Sequence, residues 1–264
     1  MTTLHAVFDK ARAEDRAALV GYLPAGFPTK DGAVAAATAM VEAGCDVIEI
    51  GLPYSDPLMD GPTIQDAVHR SLTNGTRIAD VLRTVEGVAK SGAATLVMTY
   101  WNPIDRYGAE RFARDLASAG GVGTITPDLT PEESEPWLAA SKDAGIDTVF
   151  LVAPSSPDER IARVAGCCTG FVYAASLMGV TGARESVSSA AEGLVKRTRA
   201  NTALPVCVGL GVGNGAQAAE VAAYADGVIV GSAFIRRLLD APDEKSGLAA
   251  VRELASELAR GVRR

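Results

Sequence analysis

Histidine is nearly missing from this chain: His5 and His69 are the only two in 264 residues, and they stand far apart. A His-based metal site or a Ser–His–Asp triad therefore has too little to be built from. Cysteine is scarce too. Cys45, Cys167, Cys168 and Cys207 lie in or beside apolar segments without metal-ligand spacing, which reads as small buried hydrophobes in a reducing cytoplasm. No apolar run approaches the ~18 residues of a membrane span. The opening MTTLHAVFDKARAEDR mixes both charge signs and has no long apolar core, unlike a signal peptide. An excess of positive charge is also absent, with 25 Lys and Arg against 32 Asp and Glu and a formal net charge of −7. That balance argues against nucleic acid or an anionic membrane as the main partner. It does not forbid a small anionic substrate, because backbone amides bind phosphate without net positive charge. A dinucleotide fingerprint is lacking as well, since GLGVGNG has no third glycine in the required place and comes late in the chain.

What the chain does have is a repeated phrase. A helical segment closes with a small residue and glycine, and a short β-branched run follows. Ala43-Gly44 precedes DVIEIG, Ser91-Gly92 precedes TLVMTY, Ala119-Gly120 precedes GVGTITP, Ala144-Gly145 precedes DTVFLVAP and Ala165-Gly166 precedes FVYAAS. LPVCVGLG and DGVIVGS read the same way. With ALVGYLP near the start, this predicts eight strands, near 19–23, 47–51, 95–99, 122–126, 148–152, 171–175, 205–209 and 227–230. Helices are predicted over 4–14, 31–43, 76–91, 109–119, 131–144, 157–164, 187–200, 215–224 and 248–259, with a short one over 233–239. Strands alternating with helices imply parallel pairing through crossovers. The expectation is one α/β domain over 1–264, a single (β/α)8 TIM barrel with an extra N-terminal helix and a short phosphate-binding helix after strand eight.

In such a barrel the working face is the C-terminal end of the strands. There DVIEIGLPYSDPLMDGPTIQ places Glu49 inside an apolar run and follows it with a Pro- and Gly-rich loop carrying Asp56 and Asp60. Alternation sends Val47 and Glu49 inward if Ile48 and Ile50 face the helices. A buried carboxylate is expensive unless something pairs or uses it. Asp56 before Pro57 is explained by turn chemistry, while Asp60 before Gly61-Pro62 fits either a turn or a site. Two carboxylates in different environments suit acid–base work. MGVTGARESV, GLGVGNG and VGSAFIRRL put Gly-rich loops after strands six, seven and eight, where this fold binds phosphate. Tyr22, Tyr100, Trp101 and Tyr173 fall at strand ends. Each alone is accounted for by packing, and together they suit a flat aromatic substrate.

EIGLPYSDPLMDGPTIQ, MTYWNPI, PDLTPEES, LMGVTG and VGSA, in that order and nearly end to end, resemble the tryptophan synthase alpha chain family. The resemblance implies a lyase that cleaves indole-3-glycerol phosphate to indole and glyceraldehyde 3-phosphate without metal or organic cofactor. It implies work as the alpha partner of a cytoplasmic α2β2 heterotetramer whose beta chain carries pyridoxal phosphate. By position it makes Glu49 the general acid–base and Asp60 the second carboxylate. It maps phosphate binding onto Gly182, Gly211, Gly231 and Ser232, and aromatic substrate neighbours onto Tyr22, Tyr100 and Tyr173. The chain departs from the usual family pattern at Gly21, Phe27, Leu177 and Met178. A stand-alone indole-releasing lyase, a sugar-phosphate isomerase on the same barrel and a non-catalytic regulatory barrel are the rival readings. The acidic loop and both carboxylates count against the last two.

Overall fold

The computed structural model describes residues 2–175, 184–209 and 211–263. In chain order the elements are α1 (Leu4–Ala13), β1 (Ala18–Pro24), α2 (Lys30–Glu42), β2 (Val47–Gly51), α3 (Pro62–Thr73), α4 (Ile78–Ala89) and β3 (Ala94–Met98). Next come α5 (Trp101–Tyr107), α6 (Ala109–Ser118), β4 (Gly123–Ile125), α7 (Glu135–Ala144), β5 (Asp147–Val149), β6 (Leu151–Val152) and α8 (Asp158–Gly166). The chain finishes with β7 (Val172–Ala175), α9 (Arg184–Arg199), β8 (Val206–Gly209), α10 (Gly215–Ala222), β9 (Gly227–Val230), α11 (Ser232–Leu239) and α12 (Glu244–Gly261).

Every strand pair is parallel, in the order β5-β4-β3-β2-β1-β9-β8-β7-β6. The two ends of that order, β5 and β6, are separated only by Phe150, so the sheet comes round to an almost closed barrel. They are the two halves of the strand expected over 148–152, one pairing with β4 and the other with β7. The break has a local cause. Phe150 gives its amide to Cys168 Sγ at 3.3 Å, while its carbonyl accepts the Tyr173 amide at 3.1 Å.

The expected helices form, and their ends carry the usual signals. Thr3, Thr29, Asn214 and Asp243 each accept a backbone N–H of the following helix's first turn. Gly145 closes α7 in the left-handed region at φ 69°, the conformation the Ala-Gly endings suggested. Gly166 differs, lying inside α8 with Cys167 as the cap. Two helices were not foreseen. Helix α3 begins with Pro62 directly after the acidic loop, where proline's fixed φ and missing N–H suit a first position. Helix α5 carries Pro103 in its first turn, where no intrahelical donor is lost.

Side-chain alternation splits the core in two. Ile48, Ile50, Val97, Val172, Val206, Val208 and Val228 face outward to the helices. Val20, Val47, Ala94, Leu96, Ile125, Val149, Phe171, Cys207 and Ile229 fill the barrel interior. Helix α1 plugs the N-terminal end of the barrel with Leu4, Val7 and Phe8, and the Phe8 and Phe171 rings meet edge-on at 5.8 Å. Asp46, just before β2, binds Arg16 through two contacts of 2.6 and 2.8 Å and accepts the Leu19 amide at 2.9 Å, tying β1 to β2. Stability devices therefore gather at the N-terminal end, which leaves the other end for chemistry.

Candidate active site

Glu49 is the third residue of the five-residue β2, level with Tyr22 on one neighbour and Leu96 on the other. It points inward, as alternation requires, and is 1% exposed. Oε1 has no hydrogen-bond partner among the described residues. Among the described residues no cation stands beside it to favour the charged form, and burial pushes the Glu49 carboxyl up to about 8. A carboxylic acid in this state still carries its proton at neutral pH.

Glu49 opens onto a cavity of about 960 Å³ at the C-terminal end of the strands. Tyr22, Glu49, Asp60, Tyr173, Gly211, Gly231 and Ser232 all line it, so seven of the nine residues singled out in the sequence converge on one space. Gly182 lies outside the described residues, as do Leu177 and Met178. Tyr100 is placed differently: it is not among the lining residues, and its hydroxyl donates to Asp60 Oδ1 at 3.2 Å. Burial raises the Asp60 carboxyl above its ordinary value, and that bond from Tyr100 works in the opposite direction. Asp56, by contrast, is exposed and takes its bond from the neighbouring Ser55, the turn role expected of it.

The glycine loops expected to bind phosphate reach the same cavity. Gly211, with φ 69°, and Gly231-Ser232 present backbone there, and α11 starts at Ser232. Gly231 caps that helix without a side-chain bond, so no side chain competes for its first amides. None of the described lining residues is Lys or Arg. An anion held here would rest on backbone N–H groups and the helix end.

The glycines at strand ends have a second use that the sequence reading missed. A Cβ on Gly51 would sit 2.3 Å from the Tyr22 hydroxyl, and one on Gly209 would sit 2.2 Å from the Tyr173 hydroxyl. Each tyrosine thus occupies the space vacated by a glycine on the next strand. Burial, with Glu49 nearby, raises the hydroxyl pKa of both, so both stay protonated. Met98, Leu151, Thr63 and Ile64 also line the cavity without having been singled out. For Met98 and Leu151 the signal was available, since they continue the inward alternation of Leu96 and Val149. Thr63 and Ile64 belong to the unforeseen α3. The two departures within reach are both buried. Phe27 packs against Tyr22 and Leu23, and Gly21 makes room for Met40, whose methyl would lie 2.2 Å from a Cβ there. Among the described residues no group of three or more His, Cys, Asp or Glu is placed to hold a metal ion.

With this geometry in view, a sequence model of the tryptophan synthase alpha chain matches residues 8–263. The chain belongs to the tryptophan synthase alpha chain family. It is 61% identical over 266 residues to the alpha chain of Thermobifida fusca, covering all of this chain and 98% of that one. It is also 61% identical over 254 residues to that of Streptomyces avermitilis, covering 96% and 92%. Its structure is similar to that of tryptophan synthase from Mycobacterium tuberculosis, with a TM-score of 0.92, 55% identity and full coverage of both chains. The alpha subunit from Legionella pneumophila superposes with a TM-score of 0.90 at 32% identity, covering 99% and 98%. Membership of the tryptophan synthase alpha family makes the chain an enzyme, a lyase of tryptophan biosynthesis.

Proposed function

We propose that the cavity binds indole-3-glycerol phosphate and that Glu49 is the acid–base group that splits it. The observation that carries this reading is a buried Glu49, its carboxyl pushed up to about 8 by burial, facing the same space as Asp60 and the glycine loops. Breaking the bond between indole C3 and the glycerol carbon requires a proton at C3, so that the ring can take the bonding electrons. It also requires the hydroxyl on that glycerol carbon to lose its proton as the aldehyde forms. Glu49 serves both needs in turn, giving its proton to C3 and then, as carboxylate, taking one from the hydroxyl. Asp60, with Tyr100 donating to it, accepts the indole N–H and stabilises the positive charge that builds on the ring. Gly211, Gly231 and Ser232, with Gly182, hold the phosphate by backbone amides and the α11 N-terminus. Tyr22 and Tyr173 flank the reacting atoms.

In this reading the 264-residue chain works as one domain, in the cytoplasm, without a cofactor of its own. Its partner is a pyridoxal-phosphate beta chain in an α2β2 assembly. The exposed large hydrophobics Leu58 and Met59 on the cavity rim support a partner there, being 76% and 45% exposed. The test is Glu49→Gln. Cleavage of indole-3-glycerol phosphate should be abolished while binding of a phosphate ligand is nearly unchanged. Substantial residual turnover would remove Glu49 from the central role.

A further inference from the structure

The loop that carries Asp60 spans Leu52 to Gly61, contains two prolines, Pro53 and Pro57, and has no regular structure, yet it must deliver a carboxylate to one place. Its proline content restricts the chain without anchoring it. The anchors come from the next loop and from α5. Tyr100, the residue before α5, donates its hydroxyl to Asp60 Oδ1 at 3.2 Å and accepts the Met59 amide at 3.1 Å. The Tyr54 and Tyr100 rings contact each other with centroids 5.6 Å apart. Asn102, the second residue of α5, donates from Nδ2 to the Tyr54 hydroxyl at 3.0 Å. The start of α5 is itself fixed, because Asp128 from the following βα loop accepts the Trp101 amide at 2.8 Å.

These contacts engage both arms of the acidic loop, Tyr54 on the way out and Met59-Asp60 on the return. We propose that Tyr54, Tyr100 and Asn102 form a clasp that positions Asp60 for the reaction, with Tyr100 as a positioning residue that acts through Asp60. The proposal rests on the lyase reading above and sharpens the role of Tyr100, which the family resemblance maps beside the substrate.

The clasp has a specific electrostatic consequence. Among the described residues, the titratable groups around Asp60 are Tyr100 from the β3 end, Tyr22 from β1 and Glu49 from β2, with Asp56 exposed on the same loop and Arg236 of α11 reaching Thr63 nearby. Of these, the Tyr100 hydroxyl is the one that donates to the carboxylate and favours its ionised form. Removing that hydroxyl alone should raise the Asp60 pKa. Because Asp60 works ionised, the acid limb of activity should then move to higher pH.

The experiment measures indole-3-glycerol phosphate cleavage in the complex with a beta chain, for wild type, Tyr100→Phe, Tyr54→Phe, Asn102→Ala and the double variant Tyr54→Phe/Tyr100→Phe. Tyr100→Phe should lower kcat roughly 10- to 100-fold with little change in KM, since a small misplacement of a reacting group costs rate. Its acid limb should rise. Tyr54→Phe and Asn102→Ala should each cost about 2- to 5-fold, the worth of one exposed hydrogen bond. The double variant should lose less than the product of the single losses, because the contacts share one target. An unchanged kcat and acid limb in Tyr100→Phe, or a loss confined to KM, would overturn the clasp. Carbon-13 NMR titration of the Asp60 carboxyl in the free protein reads the same clasp without substrate. If wild type fails to cleave indole-3-glycerol phosphate, the lyase reading falls, while a higher Asp60 pKa in Tyr100→Phe still supports the clasp and an unchanged one removes it.

Discussion

At the scale of one residue, the burial of Glu49 makes stability depend on pH. In the unfolded chain a glutamate loses its proton near pH 4.5, whereas in the fold it keeps it until about pH 8. Between those values the folded state binds the extra proton, so stability falls as pH rises through that window. The slope is up to ~1.4 kcal/mol per pH unit for one group. Glu49→Gln should therefore melt at a higher temperature than wild type, with an advantage that grows from about pH 5 to 8, even as it loses activity. Melting curves across that range check it, and a pH-independent difference would show that Glu49 is not held neutral. Catalysis should also carry a basic limb near pH 8, where Glu49 can no longer offer a proton. Glu49 was legible in the sequence because acids are rare in apolar runs, and Asp60 because its loop follows directly from that run. The 1% exposure of Glu49 was not legible, since burial depends on what closes round it. Tyr100 illustrates the same limit: its place at a strand end was visible, its hydrogen bond to Asp60 was not.

Strands and helices follow from local pattern more fully than the contacts between them. The eight apolar runs predict eight strands, and the structure has them, the fifth split at Phe150 by a bond to Cys168 that no periodicity announces. The two unforeseen helices, α3 and α5, each carry a proline in the first turn, and a proline beside a turn-rich loop masks the helical pattern that follows. Strand-end glycines offered another partial signal. The loop that opens with Gly209 was read for phosphate and Gly51 only as the end of an apolar run, while both glycines make room for tyrosines. Gly209→Ala should push the Tyr173 ring into the cavity, costing about 1–3 kcal/mol of stability by overpacking. Its effect on substrate KM should exceed that of an alanine at Gly75, where a Cβ meets nothing within 4 Å but φ is 71°. Denaturant titration and steady-state kinetics on both variants decide this. At the opposite end of the barrel, Phe8→Ala in α1 should cost about 3 kcal/mol by opening a hole against Phe171, with KM unchanged. A raised KM would show that the plug and the site are coupled.

For the molecule as a whole, the expectation is weak cleavage of indole-3-glycerol phosphate by the isolated chain and a large gain when a beta chain is added. Turnover measured with and without that partner checks it. Full activity alone, unchanged by the partner, would favour a stand-alone lyase instead. No described helix is long and apolar enough to cross a membrane, in keeping with the short apolar runs of the sequence. The sequence by itself determined the alternation of short buried strands with helices, the parallel barrel that alternation implies, and the residue types at the strand ends. Those depend on local periodicity and on φ preferences, which each segment carries with it. Only the tertiary structure decided that Glu49 is buried with its Oε1 unpartnered among the described residues, that two tyrosines fill the places of two glycines, and that the acidic loop is held from the start of α5. Those outcomes depend on groups far apart in the chain meeting across strands, as Asp60 and Tyr100 do forty residues apart. Desolvation and close packing act only once such groups have met.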